Sequence, residues 1–388
     1  MSNSSSPSKR NIFLLGIVSF LNDISSEMII PILPLFLKSL GGGGIIVGLL
    51  GGLRDSLSSI LKVISGYLSD KKGKRKEFVF GGYFISAFFK LLLGFSKTWG
   101  QILTLGSLER IGKGLRTAPR DAIIAESLPD KKGKGFGIHR ALDTAGAILG
   151  AIFVFLLFWF KNLNFSSIIF WAALISFFSL IPLIFVRETK KEKQKISYKL
   201  SLKNLPPSLK SFILIATLFS LANFSYMFFL LKAENSFQGK MATGAPLLLY
   251  ILFNIFYAGL AIPFGSLSDK IGRKKVLLFG YLLFSLTSLG FAFSSSLIPF
   301  IFLFILYGIT QALIDGNQRA LVSDISLPEL KGTALGTFHT LIGLASLPAS
   351  LLAGILWKIN PQLTFIYGSL MAFLPIILFG KVKENKNL

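Results

Sequence analysis

The sequence predicts an all-α membrane protein of twelve transmembrane helices, and three observations carry that expectation. Apolar runs longer than ~18 residues recur along the whole chain, each able to cross a hydrocarbon core of ~30 Å as a helix. The runs are continuous, whereas strands of a membrane barrel alternate over about 10 residues. The 388 residues are 52% hydrophobic and only 15% charged, with 39 Phe, a balance unlike that of soluble domains of the same length.

In chain order, residues 1–10 begin MSNSSSPS and read as a polar cytoplasmic tail. The first run, 12–38, follows Lys9 and Arg10 as a signal peptide would. Asp23 and Glu27 interrupt it and no small-residue cleavage site follows, so it is read as a retained first helix. Runs at 45–68, 78–96, 101–127, 136–160 and 165–186 complete an N-terminal six-helix bundle, 11–186. The longest polar stretch, 187–210, carries Pro206-Pro207 and suits a cytoplasmic linker. Runs at 211–232, 244–267, 276–296, 298–325, 333–357 and 362–380 make a C-terminal six-helix bundle with a short tail, 211–388.

The formal net charge of +23 would suggest nucleic acid in a soluble protein. Its distribution says otherwise. With the N-terminus in the cytoplasm, loops on that side hold 26 Lys and Arg, against six opposite: Lys38, Lys97, Lys161, Lys232, Lys240 and Lys358. That asymmetry is the positive-inside pattern, with both termini cytoplasmic, and no nucleic-acid partner is expected. The chain has no Cys, which excludes disulfides, thiolate metal sites and Cys nucleophiles. Neither His139 nor His339 sits in a carboxylate cluster, so no metal is expected. No nucleophile–base constellation stands out, so the chain is not read as an enzyme.

The two halves repeat one another. GYLSDKKGKRK at 66–76 returns as GSLSDKIGRKK at 265–275, an offset of 199. At the same offset SLPDKKG at 127–133 matches SLPELKG at 326–332, and Arg120 falls on Arg319. Asp23 and Ser25 fall near Asn223 and Ser225 at an offset of 200. A constant offset over several features indicates internal duplication, and two six-helix halves with a site between them is a common transporter plan.

The duplicated stretch resembles the cytoplasmic loop motif of the major facilitator superfamily, G-x-L-S/A-D-R/K-x-G-R/K-R/K, and the resemblance covers the whole chain. Physically, Gly66 and Gly265 would end a helix where a neighbour approaches closely, and Gly73 and Gly272 permit a tight turn. Asp70 and Asp269 can accept from the free N–H groups of a facing helix N-terminus. The basic tails, including Arg75 and Arg273, can pair with acids or lipid phosphates. The resemblance implies that this cluster latches the halves together when the cavity opens outward. The alternative is that these loops serve only as topology signals.

Charges inside the spans are costly and imply function or a partner. Eight bases lie in the N-terminal spans: Arg54, Lys62, Lys90, Arg110, Lys113, Arg116, Arg120 and Arg140. Arg319 is the one in the C-terminal spans. Asp23 and Glu27 bracket the middle of span 1 and Asp55 is at the middle of span 2, which makes these three the candidates for proton coupling. At ~100° per residue, Arg110, Lys113, Arg116 and Arg120 fall within roughly 120° of span 4 and cannot face lipid. The resemblance implies that spans 1, 4, 7 and 10 line the cavity. That adds Asn223 and Tyr226 on span 7 and Asp315, Gln318 and Arg319 on span 10 to the candidate substrate site, and leaves Lys90 off it. Two readings stay open: the stripe binds an anionic group, or acids and bases pair to hold the helices together.

Arg110 to Gly114 also resembles the family's fourth-helix R-x-x-x-G pattern, associated with proton coupling. Gly137, Gly146 and Gly150 match part of the span-5 glycine pattern of drug–proton antiporters, although Ala151 replaces its Pro. The expectation is a monomeric secondary transporter of the cytoplasmic (inner) membrane that works by alternating access. It would use a proton gradient and no cofactor, and would export a small anionic or amphiphilic solute. A proton-coupled uptake permease for a metabolite, and a signalling or lipid-scrambling protein on the same scaffold, are the alternatives.

Overall fold

A computed structural model describes residues 7–127, 132–188, 205–326 and 330–381. Residues 1–6, 128–131, 189–204, 327–329 and 382–388 lie outside the described residues. They include most of the expected linker and the centres of both SLP repeats. The described residues form helices and no strand. In order these are α1 (Pro7–Ile29), α2 (Leu33–Ser39), α3 (Gly44–Lys72), α4 (Arg75–Gly94), α5 (Trp99–Ser127), α6 (Lys132–Trp159), α7 (Phe165–Phe178) and α8 (Leu180–Ile184). Then follow α9 (Pro207–Ala222), α10 (Met227–Glu234), α11 (Lys240–Ile271), α12 (Arg273–Phe293), α13 (Leu297–Asp324), α14 (Lys331–Ile359) and α15 (Pro361–Lys381).

Fifteen helices cover the twelve expected runs because three runs are broken. Run 1 breaks around Pro31 and run 6 just before Pro182, where proline lacks the N–H that an unbroken helix needs. Run 7 breaks at Asn223–Tyr226. Among the described residues eleven stretches are long and apolar enough to span a membrane. The run at α5 is absent from these because it carries too many charges.

The chain divides into two compact units, one of residues 1–33 with 57–197 and the other of 34–56 with 198–388. The first unit has a core of Ile12, Leu15 and Val18 on α1, Val79 and Tyr83 on α4, and Ile123 and Ile124 on α5, closed by Leu183 and Val186. α6 lies directly on the α1 backbone: a Cβ at Gly146 or Gly150 would overlap the carbonyl of Phe20 or Ile24.

The second unit is built on stacked rings. Phe229 stacks on Tyr307 at 4.3 Å and meets Phe291 edge-on at 4.8 Å, with Phe224 and Phe365 beside them. Residues 34–56 were expected in the N-terminal bundle and instead cluster here. The cause is a glycine face on the first half of α3, where Gly44 and Gly48 admit the Trp357 side chain and the Ser350 carbonyl of α14. Lys38 adds an ion pair with Glu234 and a bond of 2.6 Å to Asn235.

The motif glycines divide. Gly73 and Gly272 have φ of 64° and 97°, so the expected tight turns need glycine. Gly66 and Gly265 do not end their helices as expected, because α3 and α11 continue to Lys72 and Ile271. Gly66 faces Ala118 on α5, while the space around Gly265 is open.

Candidate functional site

The interior of the first unit is assembled from one polar stripe on α1. Ser19, Asn22, Asp23 and Ser26 follow the i, i+3, i+4, i+7 spacing of a single helix face. Each finds partners on α4, α5, α6 or α7. Ser19 Oγ lies 2.7 Å from His139 Nε2 and 3.1 Å from the Tyr83 hydroxyl, and it accepts from Arg120 Nη1 at 3.1 Å. Asp23 accepts from Asn22 and lies within electrostatic range of Asp143 on α6, Lys113 on α5 and Glu27.

Lys90 is on α4, outside the helices expected to line the cavity, and its side chain reaches into this interior. It is 1% exposed, and its ammonium donates to Ser25, Ser26, Asn22 and Ser176 over 2.9–3.5 Å. These are neutral oxygens from α1 and α7, gathered around one cation.

The four-base stripe on α5 resolves into different roles. Arg116 is 4% exposed, donates to Ser86 Oγ at 2.7 Å and lies over the Tyr83 ring at 4.4 Å. Arg110 is buried with its Nε 3.5 Å from Glu109. Arg120 pairs with Asp121 at 3.0 Å. Lys113, at the midpoint of α5, has an exposed side chain within electrostatic range of Asp23 on α1 and of Arg110. Each of the other three bases is therefore held by its own unit, and Lys113 is the exposed one, with Asp23 nearby.

In the loop motif, Arg75 is the centre. It donates from Nε and Nη2 to Asp70 at 2.9 and 2.6 Å and pairs with Glu126 at the end of α5. Asp70 was expected to cap a facing helix N-terminus; its carboxylate instead meets this guanidinium. The N-terminus of α4 is capped by Glu188, which accepts from the backbone N–H of Arg75 and Lys76. The second copy repeats the arrangement: Arg273 bridges Asp269 on α11, at 2.7 Å, and Asp324 at the end of α13. Arg273 also donates to Ser268, which bonds Asn317 at 2.6 Å.

The remaining candidates lie in the second unit. Asp315 accepts from Tyr257 at 2.7 Å and from Arg319 at 2.9 Å. Gln318 is buried and donates to Tyr281 at 2.9 Å. Asn223 ends α9 and Tyr226 lies against Tyr250. Asp55 belongs to this unit, near Tyr307, whereas Asp23 and Glu27 belong to the first.

A family model described as Major Facilitator Superfamily matches residues 15–251 and 212–387. An uncharacterised MFS-type transporter of Methanocaldococcus jannaschii is 55% identical over 373 residues, covering 95% of this chain and 94% of the relative. The multidrug resistance protein MdtH of Yersinia enterocolitica is 29% identical over 128 residues, 32% of this chain and 31% of that protein. Among solved structures, a point mutant of the nucleoside transporter NupG superposes with a TM-score of 0.80 at 15% identity. The match covers 95% of this chain and 99% of that one.

Proposed function

The chain belongs to the major facilitator superfamily, so it is an integral membrane transporter and not an enzyme, and on that premise we propose that it is a proton-coupled exporter of a small anionic or amphiphilic solute. The observation that carries this reading is Lys113, an exposed cation at mid-span whose neighbours on the same stripe are already engaged. A fixed charge inside a membrane needs a counter-charge; Asp23 is within electrostatic range of Lys113, and when Asp23 holds a proton a solute carboxylate, phosphate or sulfonate supplies the counter-charge instead. Two six-helix bundles with cytoplasmic termini then alternate access to that site in the cytoplasmic membrane. Asp23 is the proton carrier, supported by its place beside Asp143 and within reach of Lys113: two adjacent carboxyl groups can hold one proton between them. The glycines of α6 and the short stretch of likeness to a multidrug resistance protein favour export.

The test is transport in proteoliposomes, with anions first chosen by a thermal-shift screen. Lys113→Gln should weaken anion binding at least ten-fold. Asp23→Asn should abolish pH-driven accumulation and leave exchange intact. Anion transport unchanged by Lys113→Gln, or full pH-gradient response in Asp23→Asn, refutes the corresponding role.

A further inference from the structure

At the turn between α6 and α7 the first unit has a lateral groove of about 440 Å³. That turn is the end of the unit opposite Arg75 and Glu188, since Lys76 bonds the Ile184 carbonyl just beyond α7. Met28, Phe153, Leu156, Phe160, Trp171 and Ile175 form the walls, from α1, α6, α7 and the turn after α6 in one unit. Phe160 and Trp171 are largely exposed, so the groove opens sideways, towards the bilayer. Its one charged lining residue is Lys161, two residues past the end of α6.

We propose that this groove is a binding site for one hydrocarbon chain of an anionic membrane lipid, whose headgroup acid pairs with Lys161. The volume falls within the ~300–1,000 Å³ of small-ligand sites. An apolar trough open to the membrane is filled by chains rather than by water. Lys161 supplies the selectivity, because it lines the trough in the turn just past the end of α6, the level at which a headgroup would lie. Trp159, the last residue of α6 and two before Lys161, is near that level, where tryptophan commonly marks the membrane interface. The site is distinct from the polar interior yet shares a wall with it. Met28 follows Glu27, and Ile175 precedes Ser176, one of the oxygens around Lys90. The Lys113 reading plays no part in this assignment.

A full-length variant with Trp99, Trp159 and Trp357 replaced by Phe leaves Trp171 as a reporter inside the groove. In phosphatidylcholine vesicles, brominated-chain phosphatidylglycerol should quench Trp171 at an about five-fold lower mole fraction than brominated phosphatidylcholine, the preference that one surface cation gives an anionic lipid. Adding Lys161→Gln should bring the two curves together. Coincident curves with Lys161 in place, or a preference that survives Lys161→Gln, overturns the proposal. Native mass spectrometry of the otherwise unaltered chain gives an independent reading: it should retain one more phosphatidylglycerol than its Lys161→Gln variant, and equal retention overturns the proposal as well.

Discussion

Arg75→Gln should destabilise the protein about three times as much as Arg273→Gln, although the two residues occupy the same place in a duplicated motif. Each arginine bridges two carboxylates, but in different surroundings. The Arg75 side chain is 14% exposed, with Asp70 at 34% and Glu126 at 27%. For Arg273 the values are 21%, with Asp269 at 62% and Asp324 at 46%. Exposed pairs contribute about 0.2–1 kcal/mol, and breaking a buried pair costs about 3–5 kcal/mol. Half-buried pairs at Arg75 fall between, at about 1.5 kcal/mol each and about 3 kcal/mol for two. The solvated pairs at Arg273 come to about 0.5 kcal/mol each and about 1 kcal/mol for two. At about 2–4 °C per kcal/mol for a unit of this size, thermal unfolding in detergent should show a drop of about 9 °C for Arg75→Gln and about 3 °C for Arg273→Gln. Molar salt should erase more of the second effect than of the first. Equal drops, or a larger one at Arg273, would show that burial does not set the strength of these bridges.

Gly146→Leu and Gly150→Leu should each lower the monodisperse fraction on size-exclusion chromatography, at about 1–3 kcal/mol or more, because the side chain meets the α1 backbone. Gly137→Ala enters open space and should behave as the parent does. Tyr83→Phe removes a hydroxyl partner of Ser19 and should cost about 1 kcal/mol. Tyr83→Leu also removes the ring beneath Arg116 and should cost about 2 kcal/mol more, both read from melting midpoints. The hydrogen bond from Lys74 to Glu77 holds that lysine above its usual range. Its stabilisation is therefore present below the unfolded lysine value and lost as pH rises through the folded one. Glu77→Gln should return Lys74 to ordinary lysine titration in an NMR titration.

The helical runs were legible because burial in lipid demands long apolar stretches, and the breaks at Pro31 and Pro182 follow from proline itself. The duplicated motif was legible as a repeat, and its basic tails were read as able to pair with acids or lipid phosphates; which carboxylates Arg75 and Arg273 bridge was not. Which base stays exposed was not legible. Arg116 and Lys113 share a stripe, and only the approach of Tyr83 and Ser86 from α4 separates a held guanidinium from an exposed ammonium. Lys90 is on a helix read as outside the cavity set, and nothing in the sequence marked that its long stem carries the ammonium to oxygens on α1 and α7. The spacing of Ser19, Asn22, Asp23 and Ser26 was the overlooked signal that α1 presents a polar face. Glu188 was read as linker charge, since nothing local marks a carboxylate that will cap a helix more than a hundred residues earlier. Residues 34–56 join the C-terminal unit through glycines whose distant partners leave no periodic trace.

The polarity of α5 also constrains how the protein is made. Arg110, Lys113 and Arg116 surround the helix centre, and on an insertion scale each central base costs about 2.5–3.5 kcal/mol, while each Leu or Ile returns only about 0.3–0.6 kcal/mol. Three bases outweigh the leucines and isoleucines of this segment, so α5 cannot leave the translocon for lipid as a solitary helix. Its counterparts, the hydroxyls and carboxyls of α1 and the Tyr83 ring of α4, emerge from the ribosome earlier and are already in place. Because α1 and α4 precede α5 in the chain, translation order offers the most polar span a protein surface to enter against.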